Sequence, residues 1–256
     1  MSDLTTHAET ETASAVPSRP QAVYEATIER IFHHTPDARS FFLRLPDGRR
    51  LSFKPGQFIS LLLPVAGETL TRPYSISSSL GERNLLEICL NLVPGGAGSH
   101  YLFARGLGEV LRFTGPWGTF VLDQPPEAEC VFIADGTGIA PIRPIIRHAL
   151  VSEQRSPLRL LYSAPREGDL LYREEWEAYA RDYRRFSFVP LLSNPSGGWF
   201  GLCGPLVAYV ERRYVSQDND RSRHFYICGV GQQVTQLRDL LRRAGYQRRA
   251  VQYEKW

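Results

Sequence analysis

Hydrophobic and polar positions along the chain follow two patterns, which change near residue 124. Between residues 21 and 124, short runs rich in Val, Ile, Leu, Phe and Tyr alternate with turn dipeptides such as Asp47-Gly48 and Pro55-Gly56. Such runs predict β-strands, and many short strands at this spacing favour a small antiparallel barrel. The predicted strands are Tyr24–Phe32, Ser40–Leu45, Gln57–Leu63, Arg72–Ser77, Leu85–Leu92, Glu109–Thr114 and Gly118–Leu122, with one helix at Ser99–Arg105.

The second pattern begins near residue 126 and alternates unbroken apolar runs with stretches of helical periodicity. Strands are predicted at Cys130–Ala134, Leu158–Tyr162, Phe186–Leu191 and His224–Cys228. Helices are predicted from the turn after Ala134 to Leu150 and over Tyr172–Arg181, Pro205–Arg213 and Gln233–Ala244. Wholly apolar strands that alternate with helices are typical of a doubly wound parallel sheet with helices on both faces.

Three segments follow from these patterns. Residues 1–20 are rich in Thr, Ser, Ala and Glu without apolar periodicity, which predicts a disordered tail, or alternatively a docking arm that folds on binding. Residues 21–124 form the predicted barrel domain, and residues 125–256 form the predicted α/β domain. The two meet near Asp123–Glu127, where Pro125-Pro126 predicts a stiff link.

Composition and charge narrow the class of protein. The 256 residues are 43% hydrophobic and 22% charged, and the net charge of +3 is too small to favour nucleic-acid binding. No apolar run is long enough to cross a membrane and residues 1–20 lack secretory features, so a cytoplasmic protein is expected. The dispersed Cys89, Cys130, Cys203 and Cys228 argue against a plant-type iron–sulfur cluster or a zinc ribbon, and no metal site is predicted.

Two motifs in the barrel segment have the chemistry to bind an anionic, ring-bearing ligand. In Arg72-Pro73-Tyr74-Ser75 the guanidinium can pair with a pyrophosphate, the phenol can lie against a planar ring, and the hydroxyl can bond a ring nitrogen. In Pro94–Ser99 the glycines let backbone N–H groups approach a phosphate, and Ser99 occupies the expected N-cap. Taken singly, each motif is also consistent with an ordinary strand or an ordinary capped turn.

Three further features lie in the α/β segment. Gly136–Pro141 follows an apolar strand, as a dinucleotide-binding turn does, and Pro141 suits the first turn of a helix. Cys228-Gly229 ends another apolar strand, so Cys228 either lines the ligand crevice or is a buried structural cysteine. The aromatic end of the chain, Glu254-Lys255-Trp256, is either a packing anchor or part of a site.

In this order and at these separations, the motifs resemble those of the ferredoxin–NADP reductase superfamily over residues 21–256. Arg72–Ser75 is similar to its RxYS flavin motif, Gly96–Ser99 to its GxxS motif, Gly115–Gly118 to its barrel-closing segment, Gly136–Pro141 to its GTGxAP motif, Leu160–Glu174 to its second strand and loop, and Cys228-Gly229 to the start of its CGP motif. The chain departs from the family at Val230, where the family has proline.

The resemblance implies an FAD-dependent enzyme in which hydride passes from NAD(P)H to the flavin. Its implied FAD-binding residues are Arg72, Pro73, Tyr74, Ser75, Gly96, Gly98 and Ser99. Its implied NAD(P)H-binding residues are Gly136, Thr137, Gly138, Pro141, Arg166, Cys228 and Gly229, with Trp256 where the nicotinamide meets the flavin. The expected catalytic residues are Ser75, Cys228 and Glu254.

The implied activity is electron transfer, one electron at a time, to a separate ferredoxin, flavodoxin or oxygenase component. The alternatives are a flavin or ferric-chelate reductase that acts on a diffusible small molecule, and a non-catalytic redox-sensing subunit. NADH is weakly favoured, because Ser193-Asn194-Pro195 stands where NADPH-dependent members often have Ser-Arg, although Arg166 is placed to bind a 2′-phosphate. A monomer or weak dimer is expected.

Basic residues are concentrated near the end of the chain. Residues 221–256 hold eight Arg or Lys and two acidic residues, a local excess of +6. This excess is either a solvated helix surface or a docking face for an acidic electron carrier, whose steering would weaken with salt.

Overall fold

A computed structural model describes residues 22–79, 84–123, 126–153 and 155–256. The predicted tail, residues 1–20, lies outside these ranges, as does Pro125 of the predicted link. The described residues form one antiparallel and one parallel sheet, which confirms the two predicted sheet types, and each sheet has six strands in place of the seven and four predicted.

The antiparallel sheet is built from the amino-terminal half. Its strands are β1 (Val23–Thr35), β2 (Ala38–Arg44), β3 (Phe58–Val65), β4 (Glu68–Ser75), β5 (Leu85–Asn91) and β6 (Val110–Trp117), with helix α1 (Ala97–Phe103) between β5 and β6. The strand order is β4-β3-β6-β1-β2-β5, and a bridge between Ile76 and Ile88 brings the end of β4 beside β5. The sheet thereby curls into a barrel around alternating apolar side chains such as Leu61 and Phe113.

The parallel sheet is built from the carboxyl-terminal half. Its strands are β7 (Cys130–Asp135), β8 (Leu158–Ala164), β9 (Phe186–Leu192), β10 (Leu202–Cys203), β11 (His224–Gly229) and β12 (Val251–Lys255). The helices are α2 (Ile139–Val151), α3 (Arg173–Asp182), α4 (Leu206–Glu211) and α5 (Gln232–Arg243). In the order β10-β9-β8-β7-β11-β12 the winding reverses between β7 and β11, which is where ligands bind in open α/β sheets.

Helices cover both faces of this sheet, which explains why its central strands carry apolar residues at consecutive positions, as in Cys130–Ala134. Phe132 of β7 lies in one buried cluster with Ile142 of α2, whereas its neighbour Val131 lies in another with Leu237 of α5. Successive side chains of a strand point to opposite faces, so both faces must be apolar when both are covered.

Three local predictions were wrong or incomplete. Residues 118–122 are not a strand, because Gly118 turns the chain at φ +98° and Phe120 packs edge to face on Tyr226, with ring centroids 6.1 Å apart. The last strand, β12, was not predicted; it pairs with β11 from Val251 to Lys255, and only Val251 of its five residues is buried. Helix α4 continues as a π-helical turn at Arg212–Ser216.

The two sheets share a buried boundary. Ala38, Cys89 and Phe120 from the amino-terminal half belong to the same apolar cluster as Ile145 of α2. The barrel therefore packs directly on the helix that follows the glycine turn, and the two halves of the candidate site are held against each other.

Candidate active site

The Arg72–Ser75 motif occupies the end of β4, a strand that pairs only with β3 in the ladder. Ser75 is buried, and its Oγ has no hydrogen-bond partner among the described residues. Burial raises the pKa of Tyr74 to about 12, so its phenol stays protonated at neutral pH. Arg72 is exposed and forms no ion pair within the described part of the chain; its Nη1 donates to the Thr71 carbonyl at 2.9 Å. A free cation therefore stands beside a ring and a buried, unsatisfied hydroxyl.

The glycine turn before α1 packs against this motif. A Cβ placed on Gly98 would lie 3.1 Å from Cγ of Arg72 and 3.3 Å from the hydroxyl of Tyr74. Glycine thus keeps the backbone close to the arginine. The first N–H groups of a helix lack intrahelical acceptors, so this approach adds backbone donors near the Arg72 side chain.

Ser99 is not the helix N-cap that the sequence predicted. Helix α1 begins at Ala97 with Gly96 as its N-cap, which places Ser99 in the first turn. The Ser99 Oγ accepts a hydrogen bond from the N–H of Val93 at 3.0 Å and donates to the carbonyl of Gly96 at 2.9 Å. The side chain therefore braces the turn.

The second glycine turn, Gly136–Gly138, lies between β7 and α2 at the reversal of the sheet. Gly136 has φ +53°, and a Cβ there would meet no atom within 4 Å, so the turn borders open space. A Cβ on Gly138 would lie 2.2 Å from the carbonyl oxygen of Cys228. Pro141 is buried in the first turn of α2, as predicted. The ends of β7 and β11 thus meet so closely that only glycine fits between them.

Cys228, Glu254 and Trp256 come together at the ends of β11 and β12. Cys228 lies opposite Glu254 in the parallel register, and the Trp256 N–H donates to the Gly229 carbonyl at 3.2 Å. Cys228 is almost fully buried, and this burial raises the pKa of its thiol. Burial also raises the pKa of Glu254 to about 7, and its Oε2 has no hydrogen-bond partner in the part of the chain that the structure describes.

An aromatic contact joins the two halves of the site. The rings of Trp256 and Phe58 meet edge to face with centroids 6.1 Å apart. Phe58 lies on β3 directly opposite Ser75 of β4. The barrel motif and the end of the parallel sheet therefore converge, and each brings a buried polar atom without a partner.

Arg166 lies apart from this convergence, in the loop after β8. Its side chain is 69% exposed, and its Nε is 3.6 Å from an oxygen of Asp169. Because β8 is the neighbour of β7 on the side away from β11, Arg166 stands at the carboxyl edge of the sheet but beyond the glycine turn.

The basic excess near the end of the chain lies mostly away from the site. Arg223 is bound to Glu129 at 2.7 Å. Arg248 and Arg249 precede Val251, which pairs with Phe225 at the amino end of β11. Five residues of strand, about 16 Å, separate this edge from the end of the chain. Arg248 and Arg249 therefore lie at the edge of the sheet opposite Trp256.

Two buried charges were missed by the sequence analysis. Glu87 of β5 and Arg143 of α2 form an ion pair across the boundary, with Nη1 and Oε2 2.6 Å apart. Each was visible as a lone charge inside an apolar run, LLEICL and APIRPII. A charge buried among apolar residues needs a partner of opposite charge, so each lone charge in these runs is a sequence signal that such a partner exists.

The arrangement fits two dinucleotides. An unpaired arginine, a close-packed glycine and a buried free hydroxyl suit a flavin dinucleotide along β4 and α1, and the open Gly136 turn suits a nicotinamide dinucleotide. Among the described residues, no group of His, Cys, Asp and Glu could hold a metal ion. None of the helices described is long and apolar enough to cross a membrane.

Comparisons with known proteins agree with this division. Residues 25–122 match the oxidoreductase FAD-binding domain family, and residues 132–238 match the oxidoreductase NAD-binding domain family. The chain is 33% identical to ferredoxin–NADP reductase B of Sorangium cellulosum, over 91% of this chain and 97% of that protein. It is 27% identical to the toluate 1,2-dioxygenase electron transfer component of Pseudomonas putida, over 95% of this chain and 70% of that protein.

Solved structures show the same fold. The cytochrome P450 reductase GcoB of Amycolatopsis superposes with a TM-score of 0.80 and 27% identity, covering 96% of this chain and 73% of that one. A ferredoxin–NADP reductase of Neisseria gonorrhoeae with bound FAD and NADP superposes with a TM-score of 0.80 and 23% identity, covering 91% and 98%. This chain belongs to the ferredoxin–NADP reductase family of flavin-dependent oxidoreductases, with an FAD-binding barrel followed by an NAD-binding α/β domain.

Proposed function

We propose that this chain takes electrons from NADH and passes them to a separate electron-carrier protein, such as a ferredoxin or flavodoxin, or to an oxygenase component. FAD, when bound, accepts a hydride and releases single electrons. The names of two relatives, an electron transfer component of a dioxygenase and a ferredoxin–NADP reductase, support an external acceptor. Within the described ranges, no group of His, Cys, Asp and Glu side chains could hold a metal ion, which is consistent with an acceptor that carries its own redox centre.

One observation carries this proposal. Two buried polar atoms without partners, Ser75 Oγ and Glu254 Oε2, lie on the two domains on either side of the Phe58–Trp256 contact. An unsatisfied buried polar group costs about 1–3 kcal/mol, so two at one junction indicate a site that is completed by a ligand.

On the barrel side, each residue has a separate task. Arg72 would pair with the pyrophosphate of a bound FAD, and the neutral phenol of Tyr74 would lie against its ring. Ser75 would donate its hydroxyl hydrogen to a ring nitrogen. The turn at Gly96, Gly98 and Ser99 brings backbone N–H groups to the phosphates beside Arg72.

On the α/β side, some residues would position the nicotinamide, and others hold a proton near it. Gly136 and Thr137 leave room for the dinucleotide, while Gly138 keeps β7 and β11 in contact. Cys228 stays a thiol because of its burial. Glu254, with a pKa of about 7, can hold or give up a proton near neutral pH.

The surroundings of Arg166 support NADH as the preferred coenzyme. Asp169 accepts a hydrogen bond from the N–H of Arg166 at 3.1 Å and lies 3.6 Å from its guanidinium. This carboxylate offsets the charge that a 2′-phosphate would need. Beyond β9, Ser193-Asn194-Pro195 supplies no cation.

The test compares acceptors on the purified protein. We expect a yellow protein that retains one FAD per chain and reduces ferredoxin or flavodoxin with NADH at a higher kcat/KM than it reduces free FMN or ferric citrate. A colourless protein that reduces added flavin would instead support the small-molecule reductase. A protein whose flavin is not bleached by either coenzyme would support the non-catalytic subunit.

A further inference from the structure

The ion pair between Glu87 and Arg143 is the centre of a buried polar network at the domain boundary. The side chains of Glu87 and Arg143 are 5% and 12% exposed. Arg143 also donates from Nε to Glu175 of α3 at 2.9 Å, and from Nη1 to the Ser77 carbonyl at 3.2 Å. One guanidinium therefore binds a barrel strand, the segment after the Arg72–Ser75 motif, and a helix of the NAD domain.

Tyr172 adds a second cross-link from the NAD domain to the same carboxylate. Its hydroxyl is 2.8 Å from Glu87 Oε1, and Arg143 lies over its ring at 4.0 Å. Its backbone is held at φ +57°, a left-handed conformation that is uncommon for an aromatic residue. A strained residue persists where its surroundings determine it, and here the surroundings are the network itself.

The hydrogens of the network can be assigned from its geometry. Ser40 Oγ is 2.7 Å from Glu87 Oε1, and Tyr172 approaches the same oxygen. An ionised carboxylate only accepts, so both hydroxyls donate to it. His34 Nε2, 2.8 Å from Ser40 Oγ, must then be the donor of that bond. Burial opposes ionisation of Glu87, but Arg143 and these hydroxyls outweigh it, so its pKa is lowered.

The network lies close to both cofactor motifs along the chain. Ser77 is two residues after Ser75, and the Ser77 N–H donates to the Glu87 carbonyl at 2.8 Å. Arg143 is five residues after Gly138, about 7.5 Å along α2. A shift in the position of Glu87 or Arg143 would therefore move Ser75 through the short segment that joins it to Ser77, and would move Gly138 through the start of α2.

We propose that Glu87, Arg143 and Tyr172 are positioning residues that fix the angle between the two domains and thereby the alignment of nicotinamide and flavin. The inference rests on NAD(P)H oxidation by a bound flavin, which the family establishes, and is independent of the electron acceptor. A buried ion pair contributes little net stability, whereas its geometry admits few alternative arrangements. The apolar part of the boundary has no such directionality.

The variant Glu87→Gln tests the proposal, with Glu29→Gln as its matched control. Both exchange a carboxylate for an amide in the barrel sheet, but Glu29 pairs with Arg44 at the surface, where its side chain is 44% exposed. We expect the rate of flavin bleaching by NADH in Glu87→Gln to fall about 10- to 100-fold, as a misalignment near 1 Å would cause. FAD content, flavin midpoint potential and NADH dissociation constant should match those of the control.

A second readout does not depend on activity. In the FAD-free protein, amide hydrogen exchange over residues 75–79 and 139–144 should accelerate in Glu87→Gln and stay unchanged in Glu29→Gln. Tyr172→Phe removes only the hydroxyl that contacts Glu87 and Ser40 and keeps the ring, so it should show the same changes at smaller size even if Glu87→Gln fails to fold.

Two results would overturn the proposal. One is a folded, FAD-retaining Glu87→Gln or Tyr172→Phe protein with control rates of both bleaching and exchange. The other is a slower reaction accounted for entirely by lost FAD or weaker NADH binding, which would make the network a stabilising element only. Failure of NADH to bleach the unmodified protein would instead contradict the enzyme class.

Discussion

Replacing Gly138 with alanine should separate the two strand ends that form the floor of the crevice. The added Cβ would lie 2.2 Å from the Cys228 oxygen, 2.5 Å from its carbonyl carbon and 2.7 Å from the Gly229 nitrogen. Ordinary contacts begin near 3.4 Å, so the backbones must part by about 1 Å. Gly138 has φ −58°, which alanine adopts freely, so the effect is steric.

The displacement cannot be absorbed by a flexible side chain. The three clashing atoms are backbone, and Cys228 is paired with Ala134 of β7 on one side and Glu254 of β12 on the other. Overpacking of this kind costs about 1–3 kcal/mol of stability. A 1 Å misplacement of reacting groups costs about 100-fold in rate, and we expect a loss of that order in kcat/KM for NADH.

The assay is NADH oxidation with ferricyanide, a small acceptor that needs no docking surface. Gly168→Ala is the matched control, because a Cβ there meets no atom within 4 Å and its φ lies outside the left-handed region. The control should retain full activity. A Gly138→Ala protein with kcat/KM within threefold of the control would refute the steric argument.

Three further predictions concern Arg72, Arg166 and the carboxylate of Glu254. Arg72→Ala should weaken FAD binding about 10- to 100-fold, as measured by fluorescence titration, whereas the exposed Arg49→Ala should not, and equal affinities would contradict the pyrophosphate role. Arg166→Ala should lower kcat/KM for NADPH far more than for NADH, and equal losses would remove Arg166 from coenzyme choice. Glu254 holds a proton in the folded protein between pH 4.5 and about 7 that the unfolded chain releases, so stability falls as pH rises through this window. Urea unfolding should show this loss, at most about 3 kcal/mol, in the unmodified protein and not in Glu254→Gln; identical pH profiles would mean that Glu254 is solvated.

The fold was predictable because its pattern is local. Consecutive apolar residues in strands such as β7 and β11 predicted a doubly covered parallel sheet, and the glycine turns marked where dinucleotides approach. Ser99 was misassigned as the N-cap because the helix begins earlier, within Gly96–Gly98: Gly96 is the N-cap and Ala97 is the first helical residue. The prediction of a strand at residues 118–122 was wrong because the apolar side chain of Phe120 contacts the other domain and does not belong to a strand that pairs in a sheet.

The contacts between domains were not predictable from one sequence. Glu87 and Arg143 are 56 residues apart, and their pairing depends on how the barrel docks on α2. The placement of the basic excess near the end of the chain was also not predictable from composition. Composition gives the number of charges but not their positions in the fold. Strand β12 crosses the sheet between these residues and the end of the chain, so Arg248 and Arg249 lie at the edge opposite Trp256.

Anaerobic titration of the purified protein with NADH and then NADPH, followed by the flavin absorbance, tests the central claim most directly. The account predicts one FAD per chain, complete bleaching by one equivalent of NADH, and slower bleaching by NADPH. A protein without flavin, or a flavin that neither coenzyme bleaches while dithionite does, would contradict it.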